Sequence, residues 1–408
     1  MAETGKNRNL RVASAAKFLS GLGSMSEAVW QPFVLSFGLP VSMLGFLETL
    51  GSFKGIATSL LYPVAGWLAD RLGRKPIIIV GALGSLLAFT LYLTAALTGE
   101  WWLLVPGVIL LGVGFAADPA FNSLVAESTH ASRRGTAFSI MMVAWTAPAI
   151  FLPILGGLIT DRLGFAPVYL IRVVLDAIRL LLFVWLIRET LTIIRRVRTK
   201  NPRAGAAFWS FVMPPKGLRA FYLATALDSF VWGLGFSLLF GMLSDAYGFT
   251  TFQFGIMTGL RYLVVVVTQM PIGRLVDRLG YKAMLIASEV IGVVVLIGLL
   301  FSRSFLDFTL SQALFGLCVS TWVPAQMALQ SNSVPEEVRG QSLGRLAGFK
   351  GIIGAFGPSV GGLLYDHYGF HTAILANLIG LMIPTALFIF AVRDPLPAGQ
   401  SPEDPQEE

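Results

Sequence analysis

The stretch GWLADRLGRKP, Gly66 to Pro76, is a polar knot in a strongly apolar chain. Of 408 residues, 55% are hydrophobic and 13% charged, with a mean hydropathy of +0.72. The knot follows the pattern G-x-x-x-D-x-x-G at Gly66, Asp70 and Gly73. It returns as Gly157–Asp161–Gly164, Gly273–Asp277–Gly280 and Gly362–Asp366–Gly369. The first and third copies lie 207 residues apart, the second and fourth 205. Pro119-Ala120 with Pro324-Ala325, Arg134-Gly135 with Arg339-Gly340, and Pro153 with Pro358 share the 205 offset. Several motifs at one offset mark a duplication.

Around the knots lie long apolar runs such as 76–97 and 283–301, each long enough to cross a bilayer core. Twelve runs fill the chain: 11–37, 41–69, 76–97, 101–126, 135–160, 166–187, 218–245, 250–277, 282–302, 306–330, 340–366 and 370–392. Lipid leaves no water for unpaired backbone groups, so solid apolar runs are read as helices. A membrane barrel would show alternation instead. The expected fold is all-α and polytopic, with 12 transmembrane helices in two pseudo-symmetric six-helix bundles. The expected division is a tail 1–10, a bundle 11–187, a basic link 188–217, a second bundle 218–392 and an acidic, Pro-rich tail 393–408 read as disordered.

Within each half the motif recurs after about ninety residues, or three helices. Three is odd, so successive three-helix units enter the membrane from opposite sides. Inverted repeats nested in two parallel halves are an architecture of secondary transporters, with a central site between rocking halves.

The net charge of +7 does not call for nucleic acid once the charges are placed. With the N-terminus inside, the inner links hold nearly all of them, from Arg71, Arg74 and Lys75 to Arg274, Arg278 and Lys282, with a dense cluster over 188–219. The outer links hold Arg162 and Arg303. That asymmetry places both termini in the cytoplasm. The N-terminus lacks the short apolar core and cleavage site of a secretory signal. Cys318 is the single cysteine, so neither an intrachain disulfide nor a Cys-rich metal site is expected.

In the knot, Gly66 leaves room for close helix approach and Gly73 permits a positive φ. Asp70, near the end of its helix, opposes its own helix dipole and needs a partner: Arg71, Arg74 or the positive N-terminus of a neighbouring helix. Glu127 is a second partner for Arg71 or Arg74. The gating set is therefore Gly66, Asp70, Arg71, Gly73, Arg74, Glu127, Gly273, Asp277, Arg278 and Gly280.

GWLADRLGRKP resembles the signature of the major facilitator superfamily between helices two and three. GRLVDRLGYKA (273–283) resembles its degenerate copy between helices eight and nine, and GPSVGG (357–362) the glycine-proline motif of many members. The resemblance covers residues 11 to 392. It implies that Asp70 latches onto helix eleven when the transporter faces out. It also implies a cavity lined by helices one, four, seven and ten, flanked by two, five, eight and eleven. Two positions depart from drug/proton antiporters: LPILGG (152–157) has Leu152 for the first glycine, and Val108 stands where many proton-linked exporters carry arginine.

Ionisable side chains inside a membrane cost about 2.5–3.5 kcal/mol at its centre on insertion scales, so each needs a reason. Lys54 and Arg261 each lie sixteen residues before a motif aspartate, at matching places in the two halves. With Glu27, Asp118, Asp228 and Lys350 they form the expected substrate and proton-coupling set in a shared cavity. Glu48 is a further buried acid, and Lys17 is near enough to the interface to snorkel. Arg172, Asp176 and Arg179 form an i, i+4, i+7 stripe on a supporting helix and are read as mutually neutralising. Glu289 is read the same way, and Gln312, Gln326, Gln330, Trp322 and Phe315 as packing residues or substrate contacts.

The expected function is secondary transport of a small organic solute by alternating access: proton-coupled export of an amphipathic or organic-ion substrate. Proton-coupled uptake of an organic anion or metabolite is the alternative, favoured by Lys54, Arg261 and Lys350. No G-x-x-x-x-G-K-[ST] loop is present to make ATP the motor. A membrane enzyme would need a catalytic or metal cluster, and His130, His367 and His371 supply none in a recognisable pattern. No cofactor is expected. The expected partners are a small-molecule substrate, protons and the lipid bilayer; the protein is read as a monomer of the plasma (inner) membrane.

Overall fold

A computed structural model describes residues 2–53, 55–130, 133–190, 213–214, 216–333 and 339–392. Lys54, most of the basic link and the acidic tail lie outside them. Among the described residues the chain is helical throughout, with no strand.

Twelve helical segments follow one another. Helix one runs Ala2–Leu22, then through Gly23–Ser26 and a turn to Trp30–Leu35. Helix two is Val41–Gly51 and Ile56–Leu72. Helix three is Arg74–Thr98. Helix four is Leu104–Ala116 and Asp118–Glu127, helix five Arg134–Leu163 and helix six Ala166–Leu186. The second half repeats the series. Helix seven is Arg219–Leu234, then Leu239–Tyr247, and helix eight is Thr251–Leu279. Helix nine is Tyr281–Phe301 and helix ten Phe305–Asn332. Helices eleven and twelve occupy Arg339–Gly354 and Phe356–Phe390, and the chain turns between them at Gly369.

By length and apolar composition alone, seven of these stretches qualify as membrane spans, or eight with the pair bent by 43° in helix seven. One of the seven, Arg345–Phe390, is 46 residues long and holds two crossings joined at Gly369. Helices one, two and six fall short for visible reasons. Helix two is broken where Ser52 and Gly55 are extended. Helix one gives way to a 3-10 turn before Pro32, which lacks the N–H needed to carry the ladder on. Helix six carries Arg172, Asp176 and Arg179. Helix one also starts earlier than the apolar run that announces it. Asn9 holds this extension in place through Ser128 Oγ (3.1 Å) and the Arg188 backbone (N–H, 2.9 Å; C=O, 3.0 Å).

The four motif copies supply four of the turns. Their last glycines, Gly73, Gly164, Gly280 and Gly369, have φ of 115°, 80°, 89° and 80°. A side chain at such a φ is strained, which is why glycine closes every copy.

The apolar core is continuous at one end and divided at the other. One cluster joins Phe33, Leu44 and Leu47 of the first half to Phe236, Leu239, Phe254 and Met257 of the second. Toward the other end, one cluster (Val12, Ile78, Leu124, Phe183) belongs to the first half and another (Tyr222, Leu285, Leu329, Phe388) to the second. Among the described residues, the halves share one core at the end that bears Gly164 and Gly369 and keep separate cores toward the end that bears Gly73 and Gly280, where helices two and eleven still approach at Ser59 and Gly348.

Candidate functional site

At the fused end, each motif aspartate crosses to the opposite half. Asp161 sits in the last turn of helix five, where it opposes its own helix dipole. It finds the free N–H groups that begin helix eight: Thr251 N and Phe252 N donate to its two oxygens at 3.0 and 3.1 Å. Asp366 repeats this with helix two, accepting from Val41 N (3.1 Å) and Ser42 N (2.9 Å). Charge, dipole and orphan donors all favour the pairing. The preceding glycines let the backbones meet. A Cβ on Gly157 would collide with the Thr251 carbonyl, and one on Gly362 would lie 2.6 Å from Ser42 Cα. Gln31 on helix one adds two more crossing bonds, donating to Ser237 O (2.6 Å) and accepting from Gly241 N (2.7 Å). Thr49 and Ser359 hydroxyls meet at 2.7 Å.

At the divided end the same motif is turned inward on its own half. Arg74, 8% exposed, donates to Asp70 (2.6 Å) and Glu127 (3.3 Å). Glu189, just after helix six, caps helix three by accepting from Arg74 N and Lys75 N, both at 2.9 Å. Arg71 stacks its guanidinium 4.1 Å from the Trp67 ring centroid. Thus Glu127 pairs with Arg74, one of its two expected partners. Gly66 does not mediate a close helix approach here: a Cβ on it, or on Gly273, would meet nothing within 4 Å. The close approach expected of Gly66 is made instead by Gly157 and Gly362. Arg278 is exposed, and the Asp277 side chain lies outside the described residues.

A cavity of about 990 Å³ opens below the fused end. Helices one to six line it, joined by Tyr262 and Met327 from the second half among the described residues. Its walls are largely aromatic and apolar, including Trp30, Phe89, Phe121, Phe138, Trp145 and Met142. Of the six residues expected in a shared cavity, Glu27 and Asp118 line it. Glu27 accepts a hydrogen bond from Tyr262 (2.7 Å), and the Arg261 guanidinium lies 5.3 Å from the Tyr262 ring centroid, so Arg261 stands behind Tyr262 rather than on the cavity wall. Asp228 and Lys350 do not line it. Asp228 is buried on helix seven with Glu289 of helix nine as a neighbour, and Lys350 donates to Gln326 (3.3 Å) beside Trp322. Their depth in the sequence is right; their faces point into the second half. Lys54 lies outside the described residues.

Arg172 and Arg179 do pair with Asp176 as the stripe predicts, at 2.8 and 2.6 Å. They also line the cavity, which a supporting helix was not expected to do. Tyr92, Tyr169, Trp145, Gln31 and Tyr262 were not singled out by sequence reasoning. Aromatics within apolar runs carry no signal that separates a cavity wall from a packed core.

The sequence profile of the Major Facilitator Superfamily matches residues 13–240 and again 221–407. The chain belongs to this superfamily. It is 25% identical over 388 residues to the multidrug resistance protein MdtG of Dickeya zeae strain Ech586, covering 92% of each chain. Superfamily structures similar to it include the nucleoside transporter NupG (TM-score 0.75, 13% identity, 94% of this chain and 99% of that one). Another is the human organic anion transporter MFSD10 (TETRAN) (TM-score 0.71, 17% identity, 94% and 99%). The superfamily fold accounts for the paired six-helix halves and the transport of small molecules, and the protein is a transporter rather than an enzyme.

Proposed function

We propose that the chain is a proton-coupled exporter of amphipathic or organic-ion substrates, caught with its outer end latched and its inner end open. The observation that carries the reading is the contrast, among the described residues, between Asp161 and Asp366 at one end of the cavity and Asp70 at the other. Aspartates at one end bridge the halves; aspartate and arginine at the other stay within one half. A transporter that rocks between two such states exposes the cavity to one side at a time. The basic links argue that the divided end is cytoplasmic, with both termini on that side and the protein in the inner membrane. The division at 11–187, 188–217 and 218–392 makes each half one rocking body, monomeric in the bilayer.

Export is favoured by the large cavity, whose largely aromatic and apolar walls suit apolar bodies of varied shape, and by the multidrug resistance name of the MdtG relative. Coupling to protons is favoured by Glu27 and Asp118, carboxyl groups in a cavity that changes sides. The test is purified protein in liposomes loaded with tetraphenylphosphonium. Counterflow, and acceleration of flux by an inward-directed acid gradient, are the expected results. Flux without counterflow would indicate a channel. Flux indifferent to the gradient would remove the proton from the scheme.

A further inference from the structure

The closed end of the cavity is built to receive positive charge. Glu48 lies on Val41–Gly51 of helix two, lines the cavity and, among the described residues, makes no ion pair. Its partners are neutral donors: the Trp30 indole N–H at 2.8 Å and Ser52. An ionised carboxylate has roughly four acceptor sites, so capacity remains. The other acids at the cavity have arginines for company: Asp118, which also lines it, has Arg179 as a charged neighbour. Asp176 holds two arginines, and Glu27 has Arg261 and Arg172 as charged neighbours.

Two further observations converge on the same spot. Tyr92 and Tyr169 line the cavity, are each 1% exposed, and have buried hydroxyls with no hydrogen-bond partner. Tyr92 faces Glu48 and lies 4.9 Å from the Trp30 ring, with Tyr169 5.7 Å beyond. Unpaired buried hydroxyls are costly and ask for an absent partner. The helix that carries Glu48 also stops here. Gly51 is pressed against the Val108 backbone of helix four, where no Cβ would fit, and Ser52 turns extended. The last carbonyls of Val41–Gly51, the negative pole of that helix, therefore end beside Glu48.

We infer that this corner binds the charged centre of a lipophilic organic cation, held by Glu48, the ring face of Trp30 and the hydroxyl oxygens of Tyr92 and Tyr169. Aromatic faces and a carboxylate are the ordinary recognition chemistry for such a centre. The wider cavity, walled by Phe89, Phe53 and Phe115, takes the apolar body. The inference names the substrate class of the exporter proposed above and rests on that reading of the cavity.

The test uses two probes of one shape and opposite charge on the full-length purified protein: tetraphenylphosphonium and tetraphenylborate. Equilibrium binding is expected to favour the phosphonium by at least about tenfold. Glu48→Gln is expected to weaken the phosphonium by about tenfold and leave the borate unchanged or tighter. Trp30→Leu is expected to weaken the phosphonium by about fivefold. Equal or tighter binding of the borate to the unaltered protein overturns the inference without any variant, so a Glu48→Gln protein that fails to fold leaves it testable. Insensitivity of phosphonium binding to both substitutions overturns it equally. The transport reading is tested separately, by counterflow in liposomes of whichever of the two probes binds.

Discussion

The two ends of this molecule carry the same eight-residue motif twice each and use it in opposite ways. At the outer end Asp161 and Asp366 reach across to the first N–H groups of helices eight and two, and their glycines bring the backbones together. At the inner end Asp70 bonds Arg74 in its own half, while Gly66 and Gly273 face open space. The difference teaches that the motif is a device with two settings: a carboxylate near a helix terminus that either caps a foreign helix or is held at home. Arginine is the home partner at the inner end. At the outer end Asp161 is followed by Arg162, yet the foreign helix wins because it offers two N–H donors and a dipole at once.

The strongest way to break the comparison is steric. Gly157→Leu or Gly362→Leu inserts a side chain where the backbones of Thr251 and Ser42 already press. The outer end should then fail to close, and liposome flux should fall by at least about tenfold, since overpacking of about 1–3 kcal/mol disfavours one state. Leucine at Gly66 or Gly273 should leave outer closure intact, as the space there is open. Equal loss of outer closure for all four would erase the distinction.

Removing charge should matter less. Asp161→Asn with Asp366→Asn keeps an acceptor but loses the charge on two helix N-termini. At about 1 kcal/mol each, the open-outside population should rise by about tenfold or more. Labelling of a cysteine placed at Thr49 by an impermeant maleimide, in a Cys318→Ser background, reads this directly. Asp70→Asn is expected to act in the opposite sense, by about fivefold or less, because its cross-half bond belongs to the other setting. If Asp70→Asn raises labelling at Thr49, the two-setting scheme is wrong. The smallest effect is expected from Gln31→Leu, which removes two neutral hydrogen bonds at the fused end and should raise labelling about threefold.

Much of this was legible in the residues. The motif spacing revealed the duplication, the inverted three-helix units and the positive-φ turns, because only glycine sits comfortably at Gly73, Gly164, Gly280 and Gly369. The pairing of Arg74 with Asp70 and Glu127 was within reach for the same reason: charges near a helix end have few partners. The conformational state was not legible, since one sequence must support both settings. The cavity was only half legible. Glu27 and Asp118 face it, whereas Asp228 and Lys350 are turned into the second half. Counting residues from a helix end gives depth but not rotation about the helix axis. Arg172 and Arg179 reach the cavity by the same freedom, which no periodicity within helix six could announce.

The outer fastenings join a side chain to main chain, and this makes them lopsided in their tolerance of mutation. Positions 42 and 252 contribute only peptide N–H groups to them, so most residues other than proline can stand there without removing those bonds, whereas Val41 is also buried in the shared core. Asp161 and Asp366 have no such latitude. Sequence drift around this rim can thus alter the face the transporter presents there while its fastening, written in two aspartates, keeps working.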